Sequence, residues 1–261
     1  MKKNIKYTLI AVTIFLFIIG IGGCLYYSIK ITKSSKMNNN NNNITQVKQY
    51  KEHLELLPYK EQLDLLPPVF YINLEYRTDR KRELIAEFKK MRYPDDKITR
   101  VDAVLNKKNG HKGCLESHIK ALKMGLKSDK PVVMIVEDDI MFLENPRTTY
   151  SVITEHMKKK DWNVLLLDCG GINESGRLTN AKKLRGEHSK NYRPGCATTT
   201  GYIIRSEYIP KLLKIWESSV GIPNWKNSFH ACDQSWKELQ DENWIVLAPK
   251  MTTQRDAYSD I

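Results

Sequence analysis

Residues 132–136, Val-Val-Met-Ile-Val, form an unbroken apolar run that stops against three carboxylates, Glu137, Asp138 and Asp139, before apolar residues resume from Ile140 to Leu143. A run this short and continuous is what a strand buried on both faces presents. Three adjacent carboxylates repel one another, and each resists leaving water. The chain must therefore end a central strand at a polar rim, with something positive to meet the acids.

The residues around this run alternate between strand-like and helix-like patterns. Apolar runs at 69–74, 98–104, 162–168, 198–205 and 244–248 read as strands. Between them, Leu84, Ile85, Phe88 and Met91 share one helical face, as do Leu115, Ile119, Leu122 and Leu126. Residues 147–159 and 206–219 also read as helices, the latter with Ser206 as its cap, and 233–240 as a short one. Alternating strands and helices predict an α/β domain with a mainly parallel sheet flanked by helices. Ligands of such sheets gather at the carboxyl ends of the strands.

The amino-terminal part differs in kind. Residues 8–29 hold no charged residue in 22 positions, with Tyr7, Tyr26 and Tyr27 near the ends. A helix of that length spans roughly 30 Å of hydrocarbon, and aromatic rings favour the interface. A transmembrane signal anchor after a short basic tail (1–7) is the reading, ahead of a cleaved signal peptide or a lipoprotein-type cut before Cys24. Three lysines on each side leave the orientation unset by charge. Residues 30–67 read as a flexible stem. They hold six consecutive asparagines (38–43) and a tandem nonapeptide, YKEHLELLP at 50–58 and YKEQLDLLP at 59–67. The globular domain is then 68–261. Sequons at Asn43 and Asn173 are compatible with a lumenal or other non-cytoplasmic domain.

The net charge of +12 invites a nucleic-acid partner, but six of those charges are lysines within residues 1–36, which hold no acid. The remaining +6 comes without an arginine-rich block or zinc-finger spacing, so no nucleic-acid binding is expected. Outside the span the cysteines are Cys114, Cys169, Cys196 and Cys232. None has the close spacing of a zinc site, and buried thiols and disulfides both remain open.

The three acids carry the chemistry. One acid after a strand suits a turn or a helix cap; three, re-entering an apolar segment, suit it poorly. Carboxylates are hard ligands for Mg²⁺ or Mn²⁺, which would offset their repulsion and could bind a diphosphate. Glu137 and Asp139 lie two apart and face the same way on an extended segment, making them the candidate metal ligands. Asp138 points opposite on that reading, to cap or hydrogen-bond.

Four stretches in order, VFYINLEYRTDR (69–80), RVDAV (100–104), GCLESHIKAL (113–122) and VVMIVEDDIMF (132–142), resemble the LPS-type galactosyltransferases of glycosyltransferase family 25. CDQSWKELQ (232–240) and PKMTTQRDAYSDI (249–261) look like that family's carboxyl end. The resemblance implies a GT-A-like nucleotide-diphospho-sugar transferase fold, a UDP-sugar donor, a divalent metal and inversion at the anomeric carbon. By resemblance, Glu137, Asp138 and Asp139 fall in the acidic metal and donor motif, and Asn73, Arg77 and Arg80 border the nucleotide. Arginine suits diphosphate because its planar fork makes bidentate contacts. Ser117 and His118 match the helix-start motif, where His118 could hydrogen-bond the donor or be a satisfied core histidine. Gly201 and Tyr202 match a strand that could line the sugar pocket or simply pack closely. Asp233, at a helix start, is the candidate base, with a plain helix cap as the competing role. His230 is a weaker candidate for approaching the metal. The collagen-modifying members have a longer, two-part architecture, which leaves donor sugar and acceptor open. The expected activity is transfer of a galactose or glucose from a UDP-sugar to a glycan or hydroxylated side chain, with Mn²⁺ or Mg²⁺ as cofactor. An inactive carbohydrate- or nucleotide-sugar-binding protein of the same fold is the alternative.

Overall fold

The computed structural model describes residues 59–169, 176–177, 195–223, 225 and 228–256. The predicted span at 8–29, the asparagine run, the first nonapeptide and both sequons lie outside the described residues. Among the described residues no helix is long and apolar enough to cross a membrane.

Seven strands form one mixed sheet. β1 (Val69–Asn73), β2 (Ile98–Asp102), β3 (Val132–Glu137), β5 (Val164–Leu166) and β8 (Trp244–Val246) share one direction. The order across the sheet is β2-β1-β3-β7-β5-β8-β6, with β7 (Gly201–Arg205) antiparallel between β3 and β5 and β6 (Gly176–Arg177) an antiparallel edge. The predicted parallel character holds for most strands. The direction of β7 is a finding, because an apolar run reads the same either way. A separate two-stranded ribbon pairs β4 (Ile140–Phe142) with β9 (Thr252–Gln254).

Helices cover both faces, as strands buried on both sides require. The strand period of two sends alternate residues to two cores. Phe70, Ile72, Val133, Ile135, Tyr202 and Ile204 face one core, which takes Leu115, Ile119 and Leu122 from α3 (Gly110–Lys127) and Leu212 and Trp216 from α5 (Ile209–Val220). Val69, Tyr71, Met134, Val136 and Ile203 face the other, which takes Leu84 and Phe88 from α2 (Thr78–Lys90) and Tyr150 and Ile153 from α4 (Pro146–Lys158). Asn109 and Asn145 cap α3 and α4 by accepting from Lys112 N and Thr148 N, both at 3.0 Å. Ser206 instead opens a 3₁₀ turn before α5, and its hydroxyl donates to Lys130 O.

The second nonapeptide differs from its reading as a flexible spacer. Tyr59–Leu65 is a helix, α1, and it packs on α4. Buried Gln62 donates to Ser151 Oγ at 3.0 Å. Lys97 Nζ donates to Leu63 O, Asp64 O and Leu66 O at 2.9, 2.8 and 2.8 Å, closing the carbonyl end of the helix. The packed unit therefore takes in the second repeat and does not start at residue 68. Between β5 and β7, Cys169 and Cys196 are disulfide-bonded, while Cys114 and Cys232 are free thiols.

Candidate active site

β1, β2 and β3 end side by side at Asn73, Asp102 and Glu137. Beyond these ends lies an open cleft of about 140 Å³ lined by Asn73, Arg80, Ser117, His118 and all three acids, Glu137, Asp138 and Asp139. Asp138 thus shares the cleft with its neighbours and does not point to the opposite side. The reason is local: β3 ends at Glu137, and residues 138–139 form a turn into β4.

Glu137 continues the face of Val133 and Ile135, toward α3. There His118 Nε2 lies 3.1 Å from Glu137 Oε1, and the Thr199 hydroxyl donates to the same oxygen at 2.6 Å. His118 Nδ1 lies 3.2 Å from Tyr202 Oη, so both ring nitrogens are engaged. The imidazole is fully buried and held among aromatic rings, with centroids 5.9 Å from Tyr202 and 5.7 Å from Trp216. Burial resists ionisation of Glu137. The contacts with His118 and Thr199 and the charge of Arg80 outweigh it and hold this carboxyl below its ordinary value.

Asp138 is met from the other side. Its Oδ2 accepts from Asn73 Nδ2 at 2.7 Å, and its Oδ1 from Arg80 at 2.9 Å. Asn73 is in turn fixed by Arg100, whose Nε donates to Asn73 Oδ1 at 3.3 Å and whose Nη2 donates to Asn73 O at 3.2 Å. Burial raises Asp138 above its ordinary value, and Asn73 and Arg80 offset only part of this. Asp139 has the least support. Its Oδ2 is 3.7 Å from Arg80, and its Oδ1 is buried with no hydrogen-bond partner among the described residues. Burial, then the Glu137 charge, push its carboxyl up to about 7. Among the described residues that line the cleft, one arginine faces three acids.

The remaining candidates divide. Ser117 Oγ donates to Gly113 O at 2.7 Å and accepts from Val104 N at 2.8 Å, fixing the loop that forms one cleft wall. Gly113 sits against that loop: a Cβ there would lie 2.6 Å from Val104 O. Gly201 is likewise closely packed, with a Cβ 2.8 Å from Ile140 Cδ1. Arg77 lies outside the cleft lining and pairs with Asp79. Asp233, on α6 (Cys232–Ser235), accepts from Gln234 Nε2 at 2.9 Å and is also outside the lining. His230 packs against Trp225 and Phe229. Arg100 and Thr199 are site residues that sequence reasoning missed. An arginine inside a strand pattern was the available signal for the first; a threonine beside two others gave none for the second.

The described geometry is an acidic, arginine-bearing cleft at the strand ends of an α/β sheet. Over this region a family model matches, described as glycosyltransferase family 25 (LPS biosynthesis protein), at residues 106–235. This stretch carries the glycosyltransferase family 25 signature. The signature covers α3, β3, the three acids, β7 and Asp233, while Asn73 and Arg80 lie before it. No curated protein matches the chain. Among solved structures, the chain is similar to a glycosyltransferase involved in the glycosylation of the major capsid of PBCV-1. That likeness has TM-score 0.46 and 10% identity, covering 74% of this chain and 93% of that one. A197 from STIV is similar with TM-score 0.39 and 10% identity, over 75% and 87% of the two chains.

Proposed function

We propose that the chain is a metal-dependent inverting glycosyltransferase of GT-A-like fold, moving galactose or glucose from a UDP-sugar to a glycan or hydroxylated protein side chain. The observation that carries this reading is Asp139 Oδ1, a buried carboxylate oxygen with no hydrogen-bond partner among the described residues, beside two further acids in one cleft. An all-carboxylate donor set fits Mn²⁺ or Mg²⁺. Glu137 and Asp139 would hold that ion, which when bound stabilises negative charge on a departing diphosphate.

The chain's own residues supply the rest. Arg80 pairs with Asp138 and reaches to within 3.7 Å of Asp139, beside the place where donor phosphates would sit. Arg100 fixes Asn73, and Asn73 fixes Asp138, so this wall is rigid before a donor arrives. His118 and Thr199 orient Glu137 and favour its ionised form. Asp233 would accept the acceptor's hydroxyl proton at a carboxylate oxygen as that hydroxyl attacks. Ser117 shapes the wall through its backbone bonds, and Arg77 would act from the outer rim. The uncharged run at 8–29 supports membrane anchoring, with the catalytic unit on the lumenal or other non-cytoplasmic side.

The test is incubation of the full chain with UDP-galactose or UDP-glucose and Mn²⁺, reading UDP release and glycosylated product. Absence of both UDP release and donor binding would refute the proposal. A second reading, donor binding without turnover, is favoured by the position of Asp233 outside the cleft lining. Donor binding with no transfer, unaffected by Asp233→Asn, would establish it.

A further inference from the structure

Behind the acids, α3 and α6 bring together two cysteines that stand 118 residues apart in sequence. Cys114 Sγ and Cys232 Sγ lie 3.5 Å apart. These two sulfurs and a ring nitrogen of His118 all fall within 4.8 Å of one another. Cys232 and His118 are buried, while Cys114 is half-buried and opens on the cleft, which gives an ion a way in. We propose that Cys114, Cys232 and His118 form a binding site for a soft divalent cation, Zn²⁺ by chemistry, distinct from the carboxylate pair.

The donor types separate the two sites. Two thiolates and an imidazole select Zn²⁺ over Mg²⁺ or Mn²⁺, which prefer carboxylate oxygen. The supporting contacts of a metal site are already in place. Whichever nitrogen of His118 turns to the ion, the other keeps a partner, Tyr202 Oη or Glu137 Oε1. Such outer contacts fix ring orientation. The Thr199 hydroxyl lies 3.3 Å from Cys232 Sγ while bonded to Glu137, and so supports both. Three protein ligands leave a fourth position of a tetrahedral ion for water or for Glu137. The hydrogen bond with Cys232, then burial, push the Cys114 thiol well above its ordinary value. Binding therefore displaces protons: Zn²⁺ and two thiols give two zinc–sulfur bonds and release two protons to buffer, with no change of oxidation state. The site stands whether or not the chain transfers a sugar.

The test uses the full chain, reduced with a phosphine and stripped of metal, titrated with Zn²⁺ and with Co²⁺ as a spectroscopic stand-in. The expected result is one thiolate-bound ion per chain, with thiolate-to-cobalt charge-transfer absorption and tetrahedral d–d bands that Zn²⁺ bleaches, whatever further Co²⁺ the carboxylates take. Cys114→Ser, at the half-buried position, should lose Zn²⁺ affinity by at least about 100-fold, the upper end of the loss from removing an outer partner alone. Cys232→Ser should do the same, and should it fail to fold, the Cys114→Ser result and the wild-type spectrum still decide. Asp139→Asn should leave the cobalt spectrum unchanged. Cobalt bound without a thiolate band, binding that survives Cys114→Ser but not Asp139→Asn, or no binding at all would overturn the proposal.

Discussion

Replacing Asp139 by asparagine should make the metal-free protein more stable while removing its response to a hard divalent cation. The carboxyl stands at about 7 in the fold against 3.8 when exposed. The folded state thus holds its proton to higher pH than the unfolded chain does. Stability is undisturbed below pH 3.8, falls as pH rises through the window up to about 7, and then levels off. A gap of about three pH units at about 1.4 kcal/mol each sets a ceiling of about 4 kcal/mol on the cost of the ionised group. The side chain is 15% exposed at the cleft, and water there reduces the figure to roughly 1–3 kcal/mol. Asparagine keeps the shape and cannot ionise. In a domain of this size, about 2–4 °C per kcal/mol, Asp139→Asn should raise Tm by roughly 2–12 °C at pH 8, and by less at pH 5. Thermal melts in a chelator at both pH values measure this. Added Mn²⁺ should raise the Tm of the wild type and leave the variant unmoved, since an ion that binds only the folded state stabilises it. A variant no more stable than wild type at pH 8, with the same Mn²⁺ response, would refute both the burial argument and the ligand role.

Three further expectations follow from contacts around the cleft and the amino-terminal helix. Arg80→Ala removes the cation beside buried Asp138 and should cost about 3 kcal/mol in chemical denaturation, the lower end for a broken buried pair; adding Asp138→Asn should recover part of that loss. Gly113→Ala should destabilise more than Gly201→Ala. The new methyl at 113 meets a backbone carbonyl at 2.6 Å, whereas at 201 it meets the flexible end of Ile140 at 2.8 Å; equal Tm losses would count against this. The better helix propensity of alanine, worth up to about 1 kcal/mol, works against the clash at 113 without cancelling it. Lys97→Met removes three hydrogen bonds from the carbonyl end of α1. It should cost about 1–2 kcal/mol locally, read as faster amide exchange in residues 59–66 with the sheet unchanged.

Much of the fold was legible because it is written locally. The apolar runs of β1, β3 and β5 and the helical faces of α2 and α3 depend on spacing within one segment, and there the elements formed. What could not be read depends on partners far along the chain. The packing of the second nonapeptide turns on Lys97 and Ser151, which no property of the repeat announces. The 3₁₀ turn at Ser206 has the same origin: its hydroxyl bonds to Lys130 O and not to the first turn of α5.

The site divides along the same line. Glu137, Asp138 and Asp139 declare themselves because three charges interrupt an apolar strand, whereas Arg80 is reached only through the family resemblance of residues 69–80. Strict alternation would have sent Asp138 away from its neighbours, and it fails because the strand stops one residue earlier. A period of two holds only while the backbone stays extended; once 138–139 turn toward β4, successive side chains can reach one space. Cys114 and Cys232 were unreadable as a pair for a different reason. Ligand spacing in sequence reveals a site only when one hairpin or helix carries the ligands, and here two helices far apart in sequence, α3 and α6, bring them together. Glu137, bonded to His118, stands where the hard and soft donor sets meet. An ion held by Cys114, Cys232 and His118 through Nε2 would displace the imidazole contact that now orients Glu137, and through that contact occupancy of one set would alter the affinity of the other, by the same factor in both directions.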